Sequence, residues 1–269
     1  VICFMHTMWK GSISFGLVNI PIKMYAATEE KPIRFRSLHK ECQTPIKMER
    51  TCPNCKKEVP WSEVVKGYEY QDDKFVVMSK EELEKLLPDQ GKTIEILDFV
   101  DLKEIDPIYF QKTYFLGAQD AKSKAYALLR QALQDTGKIG IAQITVRSKQ
   151  TLAVVRVYEE CLIMETIFYP DEVRDVGLVP EIPQNLDLNE KEVIMANQLI
   201  EQLTTTFDPD KYQDDYRLAL EEIIEKKIQG EEVVEVKEVK NEKVVDLMEA
   251  LKASLEATKK RPSEEKRTS

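Results

Sequence analysis

Four residues in one short stretch could hold a metal ion. His39, Cys42, Cys52 and Cys55 lie in the run RFRSLHKECQTPIKMERTCPNCKKEVP, Arg34 to Pro60. The spacing is H-x2-C, nine residues, then C-x-x-C. Each short pair can wrap one side of a tetrahedral ion, and the gap leaves room for a returning loop. Three thiolates and one imidazole suit Zn2+ with no coordination position left open, so such a site is structural rather than catalytic. One Zn2+ per chain is the expectation. Two plainer readings stand beside it: Cys42 as a core thiol, and Cys52 with Cys55 as a redox pair. A thioredoxin-like C-x-x-C follows a strand and opens a helix. Here Pro53, Asn54 and the Lys56-Lys57 pair suit a turn better. Arg34, Arg36, Lys40, Lys47, Arg50, Lys56 and Lys57 crowd the same stretch, which makes it a candidate anion-binding loop as well.

The elements around this stretch read as mainly β. In GSISFGLVNIPIKMY, Ile13, Phe15 and Leu17 alternate with one parity, and Ile20, Ile22 and Met24 with the other. The slip at Val18-Asn19 predicts a β-bulge or tight bend, and Trp9 before it reads as a core plug. Strands are expected over 68–78, with a turn at Gln71-Asp72-Asp73, and over 93–102, 108–116, 141–147, 152–158 and 162–169. The last three form two antiparallel hairpins. Ser79 with Glu82 forms a capping box for a short helix stopped by Pro88. Lys122 to Asp135 is helical, with Gly137 closing it. Pro170 to Asp187 reads as a surface connection. Helices are expected from Asn189 to about Thr205 and from Asp214 to Ile228. The VVEVKEVK run suits a solvated linker. Val244, Leu247, Met248, Leu251 and Leu255 then mark one face of a last helix, and the KKRPSEEKRTS tail reads as disordered. The fold class is α+β, mainly β with α: a β core with a helical C-terminal region.

Composition narrows the function. The chain has 269 residues and a net charge of −9, with 39 Lys and Arg against 48 Asp and Glu. That balance alone argues against nucleic acid, but its distribution does not. Residues 1–60 carry ten Lys and Arg against five Asp and Glu, and residues 121–160 carry seven against three. Two basic zones in an acidic protein are compatible with a focused anion-binding surface, or with two solvated faces. No apolar run approaches the ~20 residues of a membrane span. The initial VICF is too short for a signal peptide, and Met5 is a candidate start. The five cysteines fit a reducing compartment, with Cys161 as a core thiol.

Catalytic motifs are missing. No G-x-x-x-x-G-K-[ST], G-x-G-x-x-G or G-x-S-x-G occurs in the chain. Of two histidines, only His6 lies outside the metal set, which argues against a His-dependent triad. The motifs favour a binding protein over an enzyme. Two other classes are a lyase acting through a lysine amine and a zinc adaptor that binds only proteins.

Three stretches carry a resemblance: WKGSISFGLVNIPIKMY, LHKECQTPIKMERTCPNC and TLAVVRVYEECLIMETIFYPDEVRD. With the DYRLALEEIIEKKIQG and VVDLMEALKASLE segments, they closely resemble bacterial Ku, the DNA-end-binding family of non-homologous end joining. The resemblance runs from Met8 to about Leu255. It implies a homodimer built on a β-barrel core, with a bridge that closes a ring around a duplex end. It also implies a C-terminal segment that contacts the ATP-dependent end-joining ligase. On this reading residues 5–188 form the core, with the zinc and bridge insertion at about 34–66. Residues 189–230 form a helical arm on the core or the dimer partner. Residues 231–269 hold the linker, the ligase-binding helix over 244–255 and the tail. The alternative for that helix is docking on its own core.

A ring that accepts any sequence must contact phosphates rather than base edges. The resulting candidates are Lys10, Arg34 and Arg36 in the first basic zone. In the second they are Lys122, Lys124, Arg147, Lys149 and Arg156. The expected setting is the bacterial cytoplasm, on the nucleoid.

Overall fold

A computed structural model of the chain describes residues 5–85, 92–146, 149–184, 186–230, 248, 251–252 and 254–256. Pro88 and the VVEVKEVK run lie outside the described residues. The chain divides into two compact units, Val1–Leu178 and Val179–Ser269.

The first unit is a closed barrel of seven strands: β1 (Trp9–Phe15), β2 (Val18–Ala26), β5 (Thr93–Asp101), β6 (Phe110–Ala118), β7 (Lys138–Val146), β8 (Lys149–Tyr158) and β9 (Cys161–Ile167). Their order around the barrel is β1-β2-β6-β9-β8-β7-β5. All neighbours are antiparallel except β1 and β5, whose parallel pairing closes the wall through Ser12↔Thr93, Ile13↔Ile94 and Ser14↔Glu95. The remaining two strands, β3 (Lys66–Gln71) and β4 (Lys74–Met78), form a separate hairpin. It turns at Asp72-Asp73, with Asp73 at φ 58°. The antiparallel β7-β8-β9 run matches the two hairpins read from sequence.

Of the two causes expected for the parity slip at Val18, a bulge or a tight bend, the structure shows the tight bend. β1 and β2 are two strands of a tight hairpin, paired Phe15↔Val18 and Ile13↔Ile20. Gly16 takes φ 57° at the turn, and Leu17 points into solvent. With two residues in the turn, paired positions sum to an odd number, so the inward face changes parity as the chain reverses. Both Ile13 and Ile20 are therefore fully buried.

Inside the barrel Ile13, Ile20, Ile22, Ile94, Leu116 and Leu162 are at 0% exposure. Each such side chain contributes about 1.5–3 kcal/mol by leaving water. Strands β7 to β9 are buried on both faces. Ala142, Ala153 and Met164 face the interior cluster, while Ile139, Val154 and Ile167 meet Val100, Ile105 and Tyr109 outside. The outer layer comes from two single-turn 3-10 helices, Leu102–Glu104 and Pro107–Tyr109, between β5 and β6. This double burial explains the imperfect alternation of those strands.

Helix α2 (Lys124–Thr136) packs on the barrel through Leu129 and Leu133. Ser123 caps its start, and Gly137 at φ 64° ends it. The Tyr126 hydroxyl donates to the Leu116 carbonyl at 2.6 Å and accepts from the Leu162 amide at 2.9 Å. Leu116 and Leu162 are register partners, so one phenol pins the helix to the β6–β9 seam. Burial pushes this phenol's pKa well above the usual value. Helix α1 (Lys80–Lys85) begins with the expected capping box: the Ser79 hydroxyl accepts from the Glu82 amide, and the Glu82 carboxylate accepts from the Ser79 amide.

The second unit contains α3 (Glu190–Leu203), capped by Asn189, and α4 (Asp215–Ile228), capped by Asp214. Neither helix has a buried residue.

Candidate metal turns and nucleic-acid interface

The metal candidates sit on two turns built alike. In the first, the Gln43 amide donates to the His39 carbonyl at 2.8 Å, and the His39 amide to the Thr44 carbonyl at 2.9 Å. In the second, the Lys56 amide donates to the Cys52 carbonyl at 2.9 Å, and the Cys52 amide to the Lys57 carbonyl at 2.9 Å. The residue after the second candidate ligand is left-handed in both: Gln43 at φ 53° and Lys56 at φ 57°. An isolated β-bridge closes each turn, Leu38↔Pro45 and Thr51↔Glu58. Non-glycine residues at positive φ are uncommon. Two at matching positions indicate that one backbone shape was built twice.

That shape brings the ligands together in pairs. His39 Nδ1 lies 3.1 Å from Cys42 Sγ. Thr44 and His39 lower the Cys42 thiol to about 7 by hydrogen bonding. The amide and thiol of Cys55 also lower Cys52. Cysteines held this way are closer to the thiolate that binds metal. Among the described residues, no group of three or more His, Cys, Asp or Glu suited to a metal ion is assembled. Each turn by itself brings together two of the four candidate ligands. Neither pair follows a strand into a helix, as a thioredoxin-like motif would.

Little else holds this segment. No residue from Arg34 to Met78 is buried. Arg50 stacks its guanidinium 4.1 Å from the Trp61 ring centre, a cation–π contact that ties the second turn to the chain beyond it. The β3–β4 hairpin leaves Tyr68, Tyr70, Phe75, Val76 and Val77 exposed, so both of its faces are apolar and open. Sequence reasoning took this run for an ordinary strand and turn and missed its exposure.

The cationic candidates are dispersed. Lys10 is exposed on β1, directly opposite Lys23 of β2, a cation the sequence reading had not singled out. Arg34 and Arg36 are exposed on the approach to the first turn. Lys122 and Lys124 are exposed at the start of α2. A cation there opposes the helix dipole, so Lys124 does not serve helix stability. Lys149 opens β8 and meets Glu172 at 3.6 Å. Arg156 is held by Glu165 through two bonds, Nε at 2.6 Å and an Nη at 3.0 Å, beside Phe115 and Tyr158. Half-buried and paired, it has less charge to offer a phosphate than the exposed lysines. Arg147 lies outside the described residues.

A seven-stranded barrel carrying a cysteine-bearing insertion and spread surface cations can be compared with known proteins. Residues 14–199 match the family model described as the Ku70/Ku80 beta-barrel domain. The chain belongs to the Ku family. It is 54% identical over 264 residues to the non-homologous end joining protein Ku of Bacillus subtilis, covering 97% of this chain and 85% of that one. It is 46% identical over 261 residues to the protein of that name from Heliobacterium modesticaldum, covering 97% and 95%. The Desulfitobacterium hafniense Ku is 48% identical over 255 residues, covering 94% and 88%.

The Ku match takes in β2 to β9, both cysteine turns and the first ten of the fourteen residues of α3. Beyond it, Met248, Leu251 and Leu255 of this Ku-family chain are half-buried, while Lys252, Ser254 and Glu256 are exposed. The apolar stripe read from sequence is thus one face of a helix at these positions. Val244 and Leu247 lie outside the described residues. No helix among the described residues is long and apolar enough to cross a membrane.

Proposed function

We propose that this chain captures ends of double-stranded DNA in break repair by non-homologous end joining. The observation that carries this reading is the match, across nearly the whole chain, to relatives named for that process. The role is binding, with no chemistry of its own, and its setting is the bacterial cytoplasm. Two copies form a ring, and the insertion from Arg34 to Met78 of each supplies the bridge. The open, two-faced β3–β4 hairpin supports this, because a second copy would bury apolar surface that one chain leaves in water. Contacts run to phosphates through Lys10, Arg34, Arg36, Lys122, Lys124, Arg147 and Lys149, with Arg156 as a secondary contributor because Glu165 balances its charge. Competition binding tests the ring. Linear duplex should displace a labelled end at least tenfold better than a covalently closed circle of equal length, and equal competition overturns it.

One structural Zn2+ per chain belongs to this reading. His39 with Cys42 and Cys52 with Cys55 supply three thiols and an imidazole, a donor set that Zn2+ favours. Bound there, the ion would supply folding energy to a segment with no buried residue. Metal analysis of the purified protein tests it, and a content near zero per chain removes the ion.

The stripe of Val244, Leu247, Met248, Leu251 and Leu255 is the surface for the ATP-dependent ligase, entering a groove as one helix face. Truncation after Gly230 should leave end binding intact and abolish stimulation of that ligase. Loss of DNA binding on truncation would instead assign the helix to the chain's own fold.

A further inference from the structure

The two ends of β1 mark two ends of the barrel. At Phe15, α2 covers the barrel with Leu129 and Leu133. At Trp9 the interior opens into a cavity of about 520 Å3. That volume lies within the range of about 300–1,000 Å3 usual for small-molecule sites. Its floor is mainly aromatic and thioether, with Trp9, Tyr114, Met24 and Met164 beside one aliphatic residue, Ile144. Its rim is basic and hydroxylic, with Lys92, Lys112, Thr145 and Thr151.

Three features point to the chemistry of an occupant. First, no Asp or Glu is among the described residues that line the cavity. Neither lysine has an ion-pair partner among the described residues, whereas Lys138, Lys149 and Arg156 do. Two uncompensated ammonium groups on one rim favour a doubly charged anion. Second, aromatic rings and sulfur at the base favour a flat, polarisable body over a branched aliphatic one. Third, the backbone builds the mouth with little freedom. A side chain at Gly11 would collide with the Lys92 carbonyl and the Trp9 ring. The Ser12 amide donates to that carbonyl at 2.9 Å. The Thr166 hydroxyl accepts from the Lys112 amide at 3.2 Å. The Ser12 amide and the Thr166 hydroxyl thus hold the two lysine backbones in place, Gly11 leaves room for the Lys92 carbonyl, and neither bond uses an ammonium group.

We propose that this mouth is a site for one nucleotide unit bearing a 5′-phosphate, with the phosphate between Lys92 and Lys112 and the base on Trp9 and Tyr114. Base stacking on aromatic rings is indifferent to base identity, which suits a protein that reads no sequence. The unit has two possible sources, a free mononucleotide or the unpaired last nucleotide of a frayed DNA strand. Only the second source rests on the DNA-end reading.

The test uses the full chain with Trp61→Phe, which leaves Trp9 as its one tryptophan. Titration with dAMP should quench Trp9 fluorescence, and Lys92→Gln with Lys112→Gln should weaken that binding by about tenfold or more. Both lysines are exposed, so the variants should keep the fold. Deoxyadenosine and inorganic phosphate should each bind much more weakly than dAMP. Absence of quenching, equal binding of phosphate alone, or equal quenching by a fatty acid such as laurate overturns the proposal.

A second arm keeps Trp61 and compares a blunt duplex with one carrying a 5′-phosphorylated unpaired end. A preference for the frayed end that the lysine variants lose, with blunt binding unchanged, assigns the source to DNA. Binding of dAMP without that preference assigns it to a free nucleotide. Failure of wild-type protein to bind either duplex refutes the DNA-end reading, whatever dAMP does.

Discussion

The barrel and the segment from Arg34 to Met78 belong to one compact unit but are stabilised in opposite ways. The barrel satisfies itself. Its wall closes by the β1–β5 pairing, and its interior holds a run of aliphatic side chains at or near zero exposure. Among the described residues it buries no polar or charged residue. The insertion satisfies almost nothing. It buries no residue, exposes Met48, Trp61, Tyr68 and Phe75, and relies on turn hydrogen bonds, the β3–β4 ladder and one cation–π contact. A segment of that kind needs help from outside the chain's own packing, from metal, partner or both. Stability should reside in the barrel and assembly in the insertion.

The largest separation of the two should come from removing the proposed zinc. Structural zinc supplies about 10–16 kcal/mol in small zinc domains near neutral pH. Chelation, or Cys52→Ser, should therefore disorder the insertion and weaken the dimer while the barrel's thermal transition stays in place. Calorimetry and sedimentation read the two effects separately. A barrel that melts together with the insertion would make the two regions one cooperative unit.

Next in size is the reverse experiment. Leu162→Ala opens a cavity in a fully buried layer and should cost about 2–5 kcal/mol. Urea denaturation measures it, and zinc content per folded chain should not change. Tyr126→Phe is smaller. It leaves the Leu116 carbonyl and the Leu162 amide without their phenol partner, at about 1–3 kcal/mol. Its signature is a stability loss with DNA affinity retained.

In the hairpin, Tyr68→Ser should move monomer stability by no more than about 0.5 kcal/mol, as exposed substitutions do. It should nevertheless shift the monomer–dimer equilibrium toward monomer. An unchanged sedimentation profile at limiting concentration would mean that the exposed faces of β3 and β4 are not the contact. The smallest effect is electrostatic. Lys10→Gln should reduce the slope of log K against log salt by about 0.9 if Lys10 neutralises one phosphate. Arg156→Gln should change that slope less, because Glu165 already balances its charge.

Much of the local chemistry was legible in the sequence, although α2 starts at Lys124 behind a Ser123 cap rather than at Lys122. Ser79 with Glu82, Asn189, Asp214 and Gly137 end or start helices where expected, because each acts within a few residues of itself. The apolar stripe of Met248, Leu251 and Leu255 was readable for the same reason: its period belongs to one helix. The cysteine and histidine spacing likewise gave the two pairs, although the matching left-handed turns at Gln43 and Lys56 leave no sequence signal without glycine. At Val18 the hydrophobic pattern recorded a change of inward face but not its cause. A bulge and a two-residue hairpin shift parity alike, and only pairing distinguishes them.

What sequence alone determined is therefore the set of elements, their caps and the family resemblance across the chain. Tertiary structure decided the rest. It closed the barrel by joining Ser12 to Thr93, 81 residues apart. It cancelled Arg156 with Glu165 from the neighbouring strand, although both look free in sequence. It gathered Trp9, Lys92, Lys112 and Thr151 at one mouth and left both faces of the β3–β4 hairpin bare. The physical reason is range. Caps and periodicity arise from bonds within a turn or two of chain, whereas strand partners, ion pairs and cavities depend on which distant segments meet, and no local pattern encodes that.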